Sequence, residues 1–310
     1  MPEVIKVENL SKSFSTVVAV DNLSFSVEEG TIHGFLGQNG AGKSTTIRML
    51  LTLIKATSGN IKIFGKDLLT NRKEILQQTG AIIEKPDLYK YLTAFENIQL
   101  MARLSGFTSN RTILMRQLEM VGLSDRANSK VKTFSQGMKQ RLGIACAMVH
   151  QPKLIVLDEP TNGLDPQGIA DVRNLILHLS KNEKKTILVS SHLLSEMELI
   201  ADAMLIIDKG KKIAEGKMGE LLNPADTLVE VRTCDDTIAL QKLSSSAWNK
   251  SIRKNGDKVL LQLHKNDIPA LNRDLVQMGI DVLALEPKHS LEDYFLSLTR
   301  SSQHVATYKN

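Results

Sequence analysis

Residues 32–50 read IHGFLGQNGAGKSTTIRML. The run from Ile32 to Leu36 has the length and apolarity of a buried strand, and helical spacing resumes at Lys43 and continues to about Ile54. Between them lies GQNGAGKST, Gly37 to Thr45, which fits G-x-x-x-x-G-K-[ST] in the strand–loop–helix setting that this pattern requires. Gly37, Gln38, Asn39, Gly40, Ala41 and Gly42 form a loop whose backbone N–H groups can turn inward around a phosphate, with a helix N-terminus adding its positive dipole end. Lys43 is placed to reach the β- and γ-phosphates and Ser44 to ligate Mg²⁺, while Thr45 and Thr46 can donate to the α-phosphate. Taken alone, the loop implies a nucleoside triphosphate and nothing narrower.

A second apolar run, LIVLDEP, puts Asp158 at the C-terminal end of a strand, where ligands gather in open α/β sheets. Asp158 can hold Mg²⁺ through water, and Glu159 can orient or deprotonate an attacking water. The rest of the chain supplies a frame. VIKVENL and NLSFSVEEG read as a strand pair, residues 60–65 as a short edge strand, and Asn71 to Asn128 as mostly helical, with breaks at Gly80, Pro86 and Gly106. Helices over Gly137–Val149, Gly168–Ser180 and Leu194–Ala201 alternate with TILVSSH, AMLIIDKG and KIAEG. Alternation of this kind predicts an α/β fold on a largely parallel sheet, with an attached β-subdomain and a helical subdomain at about 86–150.

The pattern changes near Pro224. Beyond it the order is strand (TLVEVRT), helix (Asp236–Leu243), strand (248–254), strand (KVLLQLH), helix (Ile268–Met278) and strand (IDVLALE), with a last helix over Leu291–Thr299. That order is ferredoxin-like. The division expected is 1–222 for the nucleotide domain, 223–300 for a small α+β accessory domain and 301–310 for a flexible tail. His264 and His289 stand isolated, without metal spacing. The accessory domain could bind a small regulatory ligand, stabilise a dimer or touch a membrane partner, and its residues do not choose among these.

Bulk composition narrows the setting. Hydrophobic residues make up 42% of the 310 and charged residues 24%, as in ordinary globular chains. Cys146 and Cys234 are too few for a disulfide framework, and the opening MPEVIKVENL lacks the apolar core of a signal, so a reducing cytosol is expected. No run approaches the roughly 18 apolar residues of a membrane span, so any work at a membrane needs a separate partner. A net charge of +5 is spread along the chain, and its densest cluster, Lys209, Lys211 and Lys212, is too short to suggest nucleic acid.

Five features in order resemble one family. FSQGMKQR, opening at Phe134, precedes the LDEP strand; LDEPTNGLD runs on to Asp165; SSH ends at His192; and Phe14 precedes the glycine loop. Together with the loop they resemble the ATP-binding cassettes of ABC transporters over roughly residues 3–222. The resemblance implies head-to-tail pairs, homodimeric or heterodimeric, in which ATP lies between the loop of one subunit and the signature of the other. Phe134, Ser135, Gln136, Gly137 and Met138 would form that signature, with Ser135 and Gly137 facing the γ-phosphate across the pair. Gln136 and Met138 depart from the usual LSGGQ. Asp165 would be the D-loop residue, His192 the γ-phosphate sensor and Phe14 the adenine-stacking aromatic, for which a core position is the rival reading.

One departure points to a branch. Where the family has a metal-touching glutamine, this chain reads GAIIEKPDLYKYLTAFENI, with Glu84 in its place. A carboxylate suits Mg²⁺. The stretch is similar to cassettes that export, or give immunity to, peptide antibiotics of the bacitracin and lantibiotic types. The resemblance then implies an ATPase on the inner face of the cell membrane, using ATP and Mg²⁺ to drive export of a peptide antibiotic, drug or related toxic compound, with Tyr89, Tyr91 and Phe95 in the surface that docks a permease. The rival, a soluble ABC ATPase working on nucleic acid or ribosomes, needs two cassettes or a long coiled coil. This chain has one cassette, and the roughly 90 residues from Ser44 to Ser135 carry no sustained heptads.

Overall fold

The structure, a computed structural model, describes residues 2–108, 110–221, 227–255 and 258–288. The chain divides into two compact units between Lys217 and Met218.

The first unit opens with a long hairpin, β1 (Glu3–Phe14) and β2 (Val17–Glu28), followed by β3 (Ile32–Leu36), α1 (Lys43–Leu50), β4 (Ser58–Ile63), β5 (Lys66–Asp67), α2 (Arg72–Gln77) and β6 (Thr79–Ile82). Then come α3 (Ala94–Leu104), α4 (Arg111–Met120), α5 (Gln136–Met148), β7 (Leu154–Asp158), α6 (Pro166–Lys181), β8 (Thr186–Ser191), α7 (Leu194–Glu198), β9 (Ala203–Asp208) and β10 (Lys211–Lys217). Six strands form one sheet in the order β10-β9-β3-β8-β7-β6, parallel except for β10. An antiparallel sheet, β2-β1-β4-β5, makes the second layer. One core joins Ile5, Leu10, Val20 and Ile63 of the small sheet, Ile47 and Leu50 of α1, and Val156, Leu188 and Leu205 of the large one. Helix α1 therefore has apolar neighbours from both sheets. Strands β3, β7 and β8 are buried at every residue, which is why their sequences are runs and not alternations.

Strand β6 corrects the helical reading of that region. TGAI is too short to show a period, yet it pairs in parallel with β7 from Thr79 to Ile82. Gly80 is required there, because a Cβ would stand 2.3 Å from the carbonyl oxygen of Ala147. Helix α1 stops four residues earlier than its spacing predicts, in a turn where Thr52 takes φ 58°.

The second unit begins with α8 (Met218–Leu221) and continues through β11 (Thr227–Thr233), α9 (Asp236–Ser244), β12 (Ile252–Asn255), β13 (Lys258–Leu263), α10 (Ile268–Gln277) and β14 (Val282–Lys288). Its sheet is antiparallel in the order β12-β13-β11-β14. Val229, Val231, Leu261, Leu243, Leu271 and Leu275 form its core. The strand expected over 248–254 is instead a 3₁₀ turn at Ala247–Ser251 leading into the four residues of β12. His264 caps the next turn, its Nδ1 accepting from the Asn266 N–H at 3.2 Å. The expected helix Leu291–Thr299, the tail, His289 and the junction at 222–223 lie outside the described residues.

Candidate nucleotide site

The parallel sheet brings the motifs together by register. Leu36, the last residue of β3, pairs with Ser191, and Asp158, the last of β7, pairs with Ser190. The glycine loop, the two carboxylates and the histidine therefore leave the same edge of one sheet, the carboxyl edge.

The loop closes onto α1 through Gly42, which takes φ 104° at the N-cap and offers no capping side chain. A Cβ there would lie 2.5 Å from the Ala19 carbonyl of β2, so glycine is needed for backbone sign and space alike. The first amides of α1 are left uncapped, as an anion-binding helix end requires. Lys43 is only 5% exposed, and its ammonium donates to the carbonyls of Gly37 (2.6 Å) and Gln38 (3.2 Å). The same ammonium lies 3.1 Å from Glu159 Oε1 as a charge contact. Glu159 Oε2 meets His192 Nδ1 at 2.8 Å. Lys43, Glu159 and His192 thus form one continuous chain of contacts.

Ser190 organises the carboxylates. Its fully buried hydroxyl donates to Asp158 Oδ1 at 2.5 Å and accepts from the Glu159 N–H at 2.9 Å. Glu159 itself, just beyond the end of β7, takes φ 50°, a left-handed conformation uncommon for a non-glycine residue. The sequence does not mark Ser190 as a site residue; its signal is only that it is the first hydroxyl after the apolar run Ile187–Val189. Asp158 is buried, and its Oδ2 has no hydrogen-bond partner among the described residues. An unpaired buried carboxylate oxygen on β7, against which α1 packs with its half-buried Ser44, fits a hard divalent cation.

Several sequence-predicted residues sit otherwise than expected. Thr46 is buried, and both its N–H and its hydroxyl go to the Gly42 carbonyl, so in this structure its side chain ties α1 internally. Phe134 is 4% exposed, its side chain buried in the core just before α5. Ser135 and Gln136 are exposed beside it, Gly137 and Met138 half-buried, and Ser135 is the N-cap of α5, accepting from the Met138 N–H. Asp165 is likewise an exposed N-cap, of α6, accepting from the Gly168 N–H at 3.1 Å. Glu84 is not joined to Asp158. Its carboxylate pairs with Arg48 Nη2 of α1 at 2.6 Å, on the surface. Phe14 is exposed, not core, at the tip of the hairpin beside exposed Val17 and Val18, with the Lys12 ammonium 4.8 Å from its ring centre. Tyr89 and Tyr91 are exposed, whereas Phe95 is half-buried under the Arg111 guanidinium.

A cavity of about 540 Å³ opens elsewhere in this unit, lined by Arg116, Gln117, Met148, His178 and Lys185 among others, and none of the motif residues lines it. Gln38, Asn39 and Gly40 of the glycine loop are exposed.

Comparison with known proteins now decides the family. The family described as ABC transporter matches residues 20–162. The bacitracin transport ATP-binding protein BcrA of Bacillus licheniformis is 43% identical over 301 residues, 96% of this chain and 98% of its own length. The chain belongs to the ABC transporter ATP-binding proteins. This cassette is also 43% identical over 212 residues to the lantibiotic transport ATP-binding protein SrtF of Streptococcus pyogenes, covering 68% of this chain and 90% of the relative. Among solved structures, the cassette is similar to an ATP-binding cassette captured as a dimer after hydrolysis with ADP and Pi, at 26% identity and TM-score 0.63, over 69% of this chain and 98% of the other. It is an ATPase of this family, and no helix among its described residues is long and apolar enough to cross a membrane.

Proposed function

We propose that the cassette works as one of a head-to-tail pair, homodimeric or heterodimeric, on the inner face of the membrane, hydrolysing ATP to drive a separate permease that removes a peptide antibiotic. The observation that carries this reading is the Lys43–Glu159–His192 chain at the mouth of the glycine loop. It joins a phosphate-binding cation to a base and to the imidazole that orients the base. Phe14, with Val17 and Val18, offers an apolar platform for the adenine. The loop amides from Gly37 to Thr45 hold the phosphates. Ser44 and Asp158 would hold Mg²⁺, which neutralises phosphate charge when bound. Glu159, gripped by His192, orients water toward the γ-phosphate. Exposed Ser135, at the N-terminus of α5, completes the site of the partner subunit.

The bacitracin type is favoured within the branch because the match to the bacitracin relative runs through both units of the chain, whereas the lantibiotic match is no longer than one. Tyr89 and Tyr91 give an exposed aromatic pair suited to a permease loop, the latter 81% exposed. The nucleic-acid reading is set aside for want of any clustered basic stripe. The test is resistance. Cells carrying the cassette together with its cognate permease should survive bacitracin at concentrations that kill cells carrying the Lys43→Ala form. Equal survival on bacitracin and on a lantibiotic, with and without Lys43, would remove the antibiotic assignment.

A further inference from the structure

We infer that Arg48 is a positioning residue for Mg²⁺ binding: it holds the Glu84 carboxylate in reserve, one helical turn from the metal site, and yields it when the cation enters. This rests on the proposed metal role of Ser44 and Asp158. Ser44 and Arg48 are both in α1, four residues apart, so their side chains lie on one face of the helix, about 5–6 Å from each other. The Glu84 carboxylate on Arg48 is therefore already beside the helix that carries the metal-binding hydroxyl. A glutamine, the usual family residue here, could not be held in this way by charge.

The pair has the strength a reserve needs. Its side chains are 42% and 64% exposed, and pairs that open to solvent are weak enough for a divalent cation to break. Glu84 also sits at φ 60°, a conformation that a non-glycine residue keeps only under local restraint. Two residues on, Pro86 packs so closely on α5 that a Cβ at Gly143 would stand 2.5 Å from it. Ser135 is the N-cap of α5. A change of partner at Glu84 would thus be felt in the segment running from the nucleotide helix to the signature helix.

The experiment counts bound Mn²⁺ in place of Mg²⁺, by the electron-spin resonance of the free ion, with full-length protein in excess over the non-hydrolysable analogue AMP-PNP. Arg48→Gln should tighten Mn²⁺ binding about two- to fivefold. Arg48→Lys should stay near the parent, because the charge is kept. Glu84→Gln should weaken Mn²⁺ binding, and adding Arg48→Gln to it should change nothing more. Unchanged or weaker Mn²⁺ binding in Arg48→Gln, or the same gain in the Glu84→Gln background, would overturn the inference. So would a change of more than about twofold in AMP-PNP affinity without metal, since Arg48 would then act on the nucleotide itself. If the parent binds no AMP-PNP at all, the nucleotide reading fails; if it binds but Glu84→Gln leaves Mn²⁺ affinity intact, only this inference does.

Discussion

The ammonium of Lys43 and the carboxylate of Glu159 lie 3.1 Å apart, so the cation we propose for the γ-phosphate is paired with the carboxylate we propose as the base. On that proposal, a bound nucleotide competes with Glu159 for Lys43. Glu159→Gln removes that competition as well as the base. It should bind ATP at least as tightly as the parent while hydrolysis slows about 10²–10⁴-fold, so that a nucleotide-bound dimer accumulates. Lys43→Ala should lose nucleotide affinity instead. Equilibrium binding of a fluorescent ATP analogue, paired with phosphate release, separates the two; undiminished turnover in Glu159→Gln would exclude Glu159 as the base.

Ser190 supplies one hydrogen bond to Asp158 and receives one from Glu159. Replacing it with alanine leaves a buried carboxylate with neither oxygen hydrogen-bonded and frees the left-handed Glu159. We expect Ser190→Ala to lower stability by about 1–3 kcal/mol, read as a shift of the urea midpoint. Hydrolysis should fall about 10- to 100-fold through misplacement of Glu159, with ATP affinity less affected because Lys43 is untouched. Loss of affinity equal to the loss of turnover would show that Ser190 merely supports the fold.

What the sequence made legible follows from how local each cause is. The glycine loop, LDEP and SSH each sit where a strand ends, and a strand end is visible as the close of an apolar run. The parallel sheet then had only to bring those ends to one edge. Side chains whose fate depends on a distant neighbour were not legible. Thr46 turns inward because Gly42 leaves a carbonyl within its reach, and the side chain of Phe134 is buried beside the exposed Ser135. Glu84 meets Arg48 across 36 residues. Strand β6 carries no period of its own in four residues and exists because β7 offers an edge.

His33 lies in β3, stacked on Phe25, and burial holds its pKa down to about 4 from 6.5, against the opposing pull of Glu215 and Glu28. Between those two values the unfolded chain binds a proton that the folded chain refuses. Stability from this group is therefore whole above pH 6.5 and declines as the pH falls toward 4. The loss between pH 7.5 and pH 5.0 should reach about 2 kcal/mol. Denaturant midpoints at those two pH values measure it. In His33→Leu, which packs a similar volume without a titrating ring, the decline should shrink by that amount; an identical pH slope in the variant would refute the assignment.

Gly137 tests the paired site without disturbing the subunit. It lies in the first turn of α5 at an ordinary negative φ, and a Cβ there would meet nothing nearer than the Cα of Gly168 at 3.5 Å, an ordinary contact. Alanine also favours the helix. Gly137→Ala should therefore fold with an unchanged melting temperature and bind ATP as a single subunit with the parent's affinity. What it removes is clearance on a surface that only a partner's phosphate would use, so hydrolysis and the dimer trapped by Glu159→Gln should both be lost. Mixing gives the decisive measurement. Gly137→Ala subunits keep Lys43, and Lys43→Ala subunits keep Gly137, so a mixed pair rebuilds one intact site from two inactive chains. Equal amounts, pairing at random in a head-to-tail homodimer, should recover about a quarter of the parent's activity. No recovery, with both variants folded and mixed pairs demonstrated by cross-linking, would mean that the signature does not serve the opposite subunit.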